Sequence, residues 1–446
     1  MTPASKILSL SALSLAALPA SGDGLLGDGL LGTENNPFGI EMIFGLSHTD
    51  NRDRVPNGGM ANNGEVVQKE EDTVFRVSPT ISFERQLAGR YDARVYYRPA
   101  YVHHSNPRVG SERYSWEHGF DFWLRFQLAP LTELILSDNY WWSGEKKWNY
   151  GEEVYSPEER ALRNDDHIGN KIQGELVHDI SADFNFSLAA MYEIKRYDNN
   201  AFVTRYDEDT LKITARLNNK VSRNLTWGVY SEYTVYDRGT HGEIDDDQVR
   251  VDNGVTYWNN GLHASFDVFA NRRFIFTGRI GYNYLWYEAD EVEDDDMMGD
   301  TSIELHIYQE ERTRGHIGLR LNKTHSDYYP YSSQDDAALY GSVSTVIGRD
   351  TQLRLGVDAE YRNRKYDLIT VDPEADYATS WARWISENGY DTTGDRTSVY
   401  LRLWANYQFS KHLFGSVFYS IEDVDSDVDN SYKENVYGVV LTVKFL

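Results

Sequence analysis

The chain has 446 residues, 70 Asp and Glu against 44 Lys and Arg, a formal charge of −26 and a mean hydropathy of −0.59. It has no internal apolar run long enough for a transmembrane helix, yet 14% of its residues are aromatic, which excludes a disordered polyanion because such chains are poor in aromatics. With no Cys at all, disulfide frameworks and thiolate chemistry are excluded, while export to an oxidising compartment is allowed.

The first element reads as an address. Residues 1–22 carry one Lys, Lys6, ahead of an apolar stretch from Ile7 to Ala17 and end on small residues, the pattern of a cleaved secretory signal. Cleavage fits after Ala20 or after Gly22. Residues 23–37 contain "GDGLLGDGLLG" and read as a flexible Gly-rich leader. The folded chain is expected from Phe38 to Leu446.

From there the signal is alternation over stretches of about ten residues. Phe120, Phe122, Leu124, Phe126 and Leu128 stand against Asp121, Arg125 and Gln127. Leu211, Ile213, Ala215 and Leu217 stand against Lys212, Thr214 and Arg216, and Val399, Leu401, Leu403, Ala405, Tyr407 and Phe409 against Tyr400, Arg402 and Asn406. Each strand thus has an apolar and a polar face, as in either a β-sandwich or a membrane barrel.

The connections separate these two. Tight links recur at "QLAG" (Gln86), "LAPL" (Leu128), "ISAD" (Ile180), "VSRN" (Val221), "FANR" (Phe269), "IGRD" (Ile347) and "FSKH" (Phe409). Between them run long polar segments such as Trp142–Asn164, Asp237–Gly254, Glu288–Thr301 and Asp367–Arg396. Short turns at one end and long loops at the other are the habit of an outer-membrane barrel. The wide gap between Phe269 and Ile347 predicts an eighth turn at "EERTRG", Glu310–Gly315. Eight turns give an all-β, transmembrane, up-and-down antiparallel barrel of about 18 strands, and seven give 16. Either is wide enough for an aqueous lumen.

In "FTGRIGYNYLWYEADEVEDDDMMGD" an aromatic row, Tyr282, Tyr284 and Trp286, runs straight into acid. A strand leaving hydrocarbon for water accounts for both halves, since Tyr and Trp suit the headgroup layer. Similar groups occur at Tyr96, Tyr97 and Tyr101, at Tyr140, Trp141 and Trp142, and at Tyr230 and Tyr233. All are placed on the long-loop side.

This hairpin grammar, together with the terminal strand "NVYGVVLTVKFL" in which Tyr437, Val439, Leu441, Val443 and Phe445 alternate, resembles the outer-membrane β-barrel porins of Gram-negative bacteria, in particular the porin families without an assigned substrate. The resemblance covers the mature chain, with one departure: Leu446 follows the terminal aromatic. It implies a passive channel for small hydrophilic solutes, with an export conduit or accessory for surface polysaccharide, or a non-conducting structural or adhesive barrel, as alternatives. It also implies contact with outer-membrane lipid and lipopolysaccharide, and insertion by the barrel-assembly machinery through the last strand. Nucleic acid is not expected as a partner.

The lumen-facing parity is read as carrying Arg76, Arg94, Arg98, Arg125, Arg216, Arg279, Arg320, Arg354, Arg362 and Arg402, mixed with Glu84, Asp92, Asp121, Glu175, Asp358 and Glu360. Opposed charges suit a selective aqueous pore; paired across strands, they would brace the wall instead. The pairs His48 with Asp50, and His103 with His104, carry the residue types of acid–base chemistry but come with no nucleophile or motif, so no enzyme and no catalytic residue is expected. "DVDSDVDNSYKE" places Asp423, Asp425, Asp427 and Glu434 at EF-hand spacing, with Val428 where Gly is needed. Loose capture of Ca²⁺ or Mg²⁺ by Asp423–Asp429, by Asp294, Asp295 and Asp296, or by Asp245–Asp247 is the cofactor expectation; solvation of acidic loops is the alternative.

Overall fold

The computed structural model describes residues 37–51, 69–87, 91–106, 113–143, 167–197, 208–238, 255–271, 273–287, 296–309, 312–325, 331–348, 353–368, 393–427 and 431–445. The signal segment, and the leader apart from Pro37, lie outside them. Eighteen strands follow: β1 (Phe38–Thr49), β2 (Asp72–Leu87), β3 (Tyr91–His104), β4 (Tyr114–Ala129), β5 (Thr132–Ser143), β6 (His167–Asp179), β7 (Phe184–Tyr197), β8 (Glu208–Ser222) and β9 (Leu225–Arg238). The second half holds β10 (Val255–Phe269), β11 (Phe274–Tyr287), β12 (Asp296–Gln309), β13 (Thr313–His325), β14 (Tyr331–Ile347), β15 (Leu353–Leu368), β16 (Thr393–Ser410), β17 (Leu413–Ser426) and β18 (Tyr432–Lys444).

Each strand pairs antiparallel with the next, and β18 pairs antiparallel with β1 from Glu41↔Lys444 to Thr49↔Val436. The sheet therefore has no free edge, which removes the hazard of an unpaired strand. At a strand spacing of about 4.8 Å and a tilt of about 40°, eighteen strands close into a cylinder roughly 35 Å across at the backbone. Side chains alone do not fill such an interior.

Alternation assigns the faces, because successive Cβ atoms point to opposite sides of a strand. The exposed large apolar residues fall on one parity strand after strand: Phe44 and Leu46 on β1, Leu188 and Tyr192 on β7, Ile280, Tyr282 and Tyr284 on β11, Ile317, Leu319 and Leu321 on β13, Val417 and Tyr419 on β17. Registers carry this parity around the closed sheet, for example Phe44↔Leu441 and Leu321↔Ala337. The other parity is polar and faces the lumen. The molecule is thus turned inside out relative to a soluble sandwich.

The eight expected tight turns all fall between strands, including the one hidden near Glu310. Three of the hairpins end in a register shift beside the turn, at Gln127/Ala129, Lys220/Ser222 and Gln408/Ser410. Such bulges add local twist where the chain reverses. At the β14–β15 turn Gly348 has φ 82°, a left-handed conformation that suits glycine.

Two expectations are corrected, and the EF-hand spacing is placed on the sheet. The acidic segment Glu288–Thr301 is not all loop, because β12 begins at Asp296 and pairs with β11 from Leu285↔Asp296 onward. The EF-hand spacing, which Val428 already counts against, falls on strands at both ends: Asp423 and Asp425 lie within β17 and Glu434 within β18, two strands in antiparallel register. Finally, Tyr96, Trp141 and Tyr230 are not part of an outer aromatic belt. They sit on the lumen parity, one residue out of phase with Tyr97, Trp142 and Val229. Aromatics also gather at the short-turn end of the outer face, where Phe38 packs on Phe83 and Tyr91 on Phe126, at 5.2 and 4.7 Å between ring centroids.

Candidate functional site

The inner wall is built one residue in two from every strand, so its chemistry is a set of cross-strand neighbours. On β2 to β5, Arg76 reaches over β3 to Glu117 on β4 at 2.7 Å. Ala100 and Val102, both buried, lie in the gap beneath. Arg98 binds Asp121, which also accepts from Asn139. Arg125 holds Glu133 through Nε and Nη2 at 2.9 and 2.5 Å. Arg94 lies 3.6 Å from Asp92 and sits 4.9 Å over the Trp123 ring, while Tyr96 donates to Glu84.

On β6 to β9 the inward ion pairs use lysine instead of arginine. Lys171 pairs with Glu193 at 3.5 Å, Lys195 with Glu208 at 2.8 Å and Lys212 with Glu232 at 2.7 Å. Apart from Lys212, these residues were missing from the sequence reading, although the inward parity of β6, β7, β8 and β9 contains them. The same parity test applied to every strand would have found them.

From β9 to β13 the wall carries histidine and tyrosine. His263 stacks on Tyr230 at 4.5 Å and 11°, and Arg216 lies 4.9 Å over the other ring. Arg279 binds Asp300 at 2.8 Å, and Asp300 is 3.5 Å from His263 Nδ1. Gly261 and Gly281 leave the room that His263 occupies. One turn of the wall further on, Glu304 meets His306 at 3.1 Å and accepts from Tyr340. His316 shares a hydrogen bond with Ser342 at 3.0 Å.

The β13–β17 sector holds the densest arginine. Asp336, buried, is shared by Arg320 at 3.4 Å and Arg362, whose Nε donates at 2.8 Å. Trp404 Nε1 donates to Asp358 at 3.0 Å, and its ring lies over Gly356 so closely that a Cβ there would overlap it. Arg402 is opposite Asp358 in register and sits 5.1 Å over Phe418. Glu360 lies between Tyr340 and Tyr400 in register. Among the described residues, Arg216, Arg354 and Arg402 make no ion pair, and Arg354 reaches only Ser344, at 3.4 Å.

Every arginine and carboxylate assigned above to the lumen parity therefore faces inward, spread around the whole circumference rather than gathered in one place. Most of the pairs join adjacent strands, and the longest reaches, Arg76 to Glu117 and His263 to Asp300, each cross one strand. Such pairs brace the wall without spanning the lumen.

The candidate acid–base pairs are placed elsewhere. Asp50 accepts from Asn435, and His48 shares a hydrogen bond with Thr73 at 2.9 Å on the outer parity. His104 meets Asp72 at 2.6 Å, while His103 faces outward. They are strand-end contacts. Of the metal candidates, Asp294 and Asp295 lie outside the described residues and Asp296 opens β12. Asp423 is 3.9 Å from Lys433 and Asp425 accepts from Ser431 at 3.0 Å, and Asp427 follows just past β17. Among the described residues no three His, Asp or Glu side chains converge to hold a metal ion.

No protein-family model matches the chain, and no curated protein matches it. Among solved structures it is similar to the siderophore receptor PirA from Acinetobacter baumannii, at 8% identity and a TM-score of 0.49, covering 93% of this chain and 81% of that one. It is likewise similar to OccAB4 of Acinetobacter baumannii, at 10% identity and 0.47, covering 92% and 99%, and to the outer membrane protein opdK from Pseudomonas aeruginosa, at 8% and 0.46, covering 94% and 100%. Nothing about cargo or activity follows from likeness at that level.

Proposed function

We propose that this chain is an integral outer-membrane channel of the porin kind that passes small hydrophilic solutes by diffusion. One observation carries the reading: a closed barrel of eighteen strands whose outward parity is apolar and whose inward parity is charged and hydroxylated around the full circumference. Lipid solvates the first surface and water the second. A cylinder of this width leaves an aqueous path after wall-to-wall ion pairing is counted, since the pairs lie along the wall.

The reading includes no catalytic step. It also includes recognition of β18 by the barrel-assembly machinery during insertion, for which Tyr437, Val439, Leu441, Val443 and Phe445 supply an outward alternating row, and contact of the acidic outer loops with lipopolysaccharide. Single-channel recording in a planar bilayer tests the function. Discrete ohmic steps are expected, and silence across many verified insertions would replace the channel with a structural barrel.

A further inference from the structure

Among the described residues, the outer face carries one carboxylate inside its apolar belt. Asp138 on β5 lies between Leu136 and Tyr140 along its strand, opposite Phe122 on β4 and Ile172 on β6. The other described outward acids with a visible outer neighbour, Asp335, Asp367, Asp395 and Asp423 among them, stand past the last apolar residue of their outward rows, toward the long loops. Asp138 alone is flanked by apolar or aromatic side chains on all four sides.

Its hydrogen-bond partner is Asn170, whose Nδ2 donates at 2.9 Å. Asn170 is also outward, between Ile168 and Ile172 and opposite Tyr140 and Ile194. A carboxylate offers about four acceptor sites, so one amide hydrogen leaves it largely unsatisfied in surroundings where that is costly. Asn170 has a second N–H to give. Just toward the short-turn end the outward row narrows to Gly174 opposite Ala190, small residues of the kind that let two membrane surfaces approach.

We infer that the outer face of β5, β6 and β7, centred on Asp138 and Asn170, is the contact surface for a second copy of this chain. A two-fold axis along the membrane normal keeps every residue at its own depth, so it brings Asn170 of one copy against Asp138 of the other, and the reverse. Each carboxylate then receives two amide hydrogens, its own and its partner's, in a self-complementary contact of the kind a two-fold interface requires. Ile172, 53% exposed, and Leu136 pack around it. Lipid chains offer the carboxylate no donor. The inference rests on the lipid-facing placement proposed above and is independent of whether the lumen conducts.

The chain has no Cys, so Ile172→Cys and Leu339→Cys each introduce a single thiol. Leu339 lies on β14, eight strands away on the same outward parity and 50% exposed. On oxidation in native membranes, Ile172→Cys should give about tenfold more disulfide-linked dimer than Leu339→Cys, the ratio expected of a held contact over random collision. Adding Asp138→Leu with Asn170→Leu should return the yield to the Leu339→Cys level, in protein that keeps its fast unboiled gel mobility. Equal yields at the two positions, or a dimer that survives both leucine substitutions, overturns the inference. A protein that needs no detergent would instead overturn the membrane placement, which that gel and an extraction assay read separately.

Discussion

Asp50 and Asn435, 385 positions apart, fasten the two ends of the sheet together. Asp50 accepts the backbone N–H of Asn435 at 2.7 Å and its side-chain amide at 2.6 Å, and the Asp50 N–H donates back to the Asn435 carbonyl at 3.2 Å. Tyr419 completes the set by donating to Asn435 Oδ1 at 2.7 Å. The residue that looked like half of an acid–base pair is the clasp of the β1–β18 seam.

Removing that clasp should loosen closure. Asp50→Ala deletes hydrogen bonds to a charged acceptor, each worth about 1.5 to 3 kcal/mol. The temperature at which the barrel loses its fast gel mobility should therefore fall, while conductance per channel stays unchanged. A variant as heat-resistant as the parent would show that backbone pairing between β1 and β18 suffices alone.

The two faces of β16 should respond oppositely to charge. Leu403→Arg puts a cation on the lipid face, at a cost of about 2 to 4 kcal/mol near the midplane, and should block assembly. Arg402→Leu, one residue away and inward, should assemble normally. Detergent extraction and unboiled mobility measure both, and equal assembly of the pair would undo the assignment of faces.

Selectivity should follow the arginines that lack a carboxylate. Arg354→Gln with Arg402→Gln removes positive charge from the wall without leaving a broken ion pair behind, so the reversal potential in a salt gradient should move toward cations at little cost in stability. Arg98→Gln should move it the same way but also lower heat resistance, because Asp121 loses its charged partner. An unchanged reversal potential in the double variant would remove Arg354 and Arg402 from the conducting path.

Gly356 is held to glycine by the Trp404 ring above it. Gly356→Ala should destabilise by about 1 to 3 kcal/mol through overpacking, and Trp404→Ala in the same chain should recover part of that loss, as expected for two residues in contact. Simple additivity of the two changes would mean that the ring does not cover the glycine.

The acidic segment at Glu288–Asp295 should answer to divalent ions if it binds them. Millimolar Ca²⁺ or Mg²⁺ should then raise the thermal midpoint, by ligand linkage, and Asp294→Asn with Asp295→Asn should reduce the rise. Asp296 is left out because it opens β12. An equal rise with NaCl at matched ionic strength means screening and no site.

The sequence alone determined the barrel. Alternation puts one chemistry on each face, and the contrast between tight and long connections distinguishes a membrane cylinder from a sandwich. Counting the turns gives eighteen strands with the one at Glu310 and sixteen without it, and the closed sheet has eighteen. All of these are local properties, spread over a few neighbouring residues. The parity of Arg76, Arg98 or Arg402 is local in the same sense, and so legible.

What required the tertiary structure was register. Whether Arg362 pairs with Asp336 or Arg402 stays without a carboxylate depends on which residue stands opposite on the next strand, and a slip of two residues keeps every face while changing every partner. The aromatic clusters misled for a related reason. Tyr96 and Tyr97 are adjacent in the chain, but a β-strand sends them to opposite sides of the wall, one to Glu84 in the lumen and the other to His118 on the lipid face. Asp50 with Asn435, and Asp138 with Asn170, are invisible to any local pattern, because only closure of the cylinder and the pairing of β5 with β6 bring those residues together.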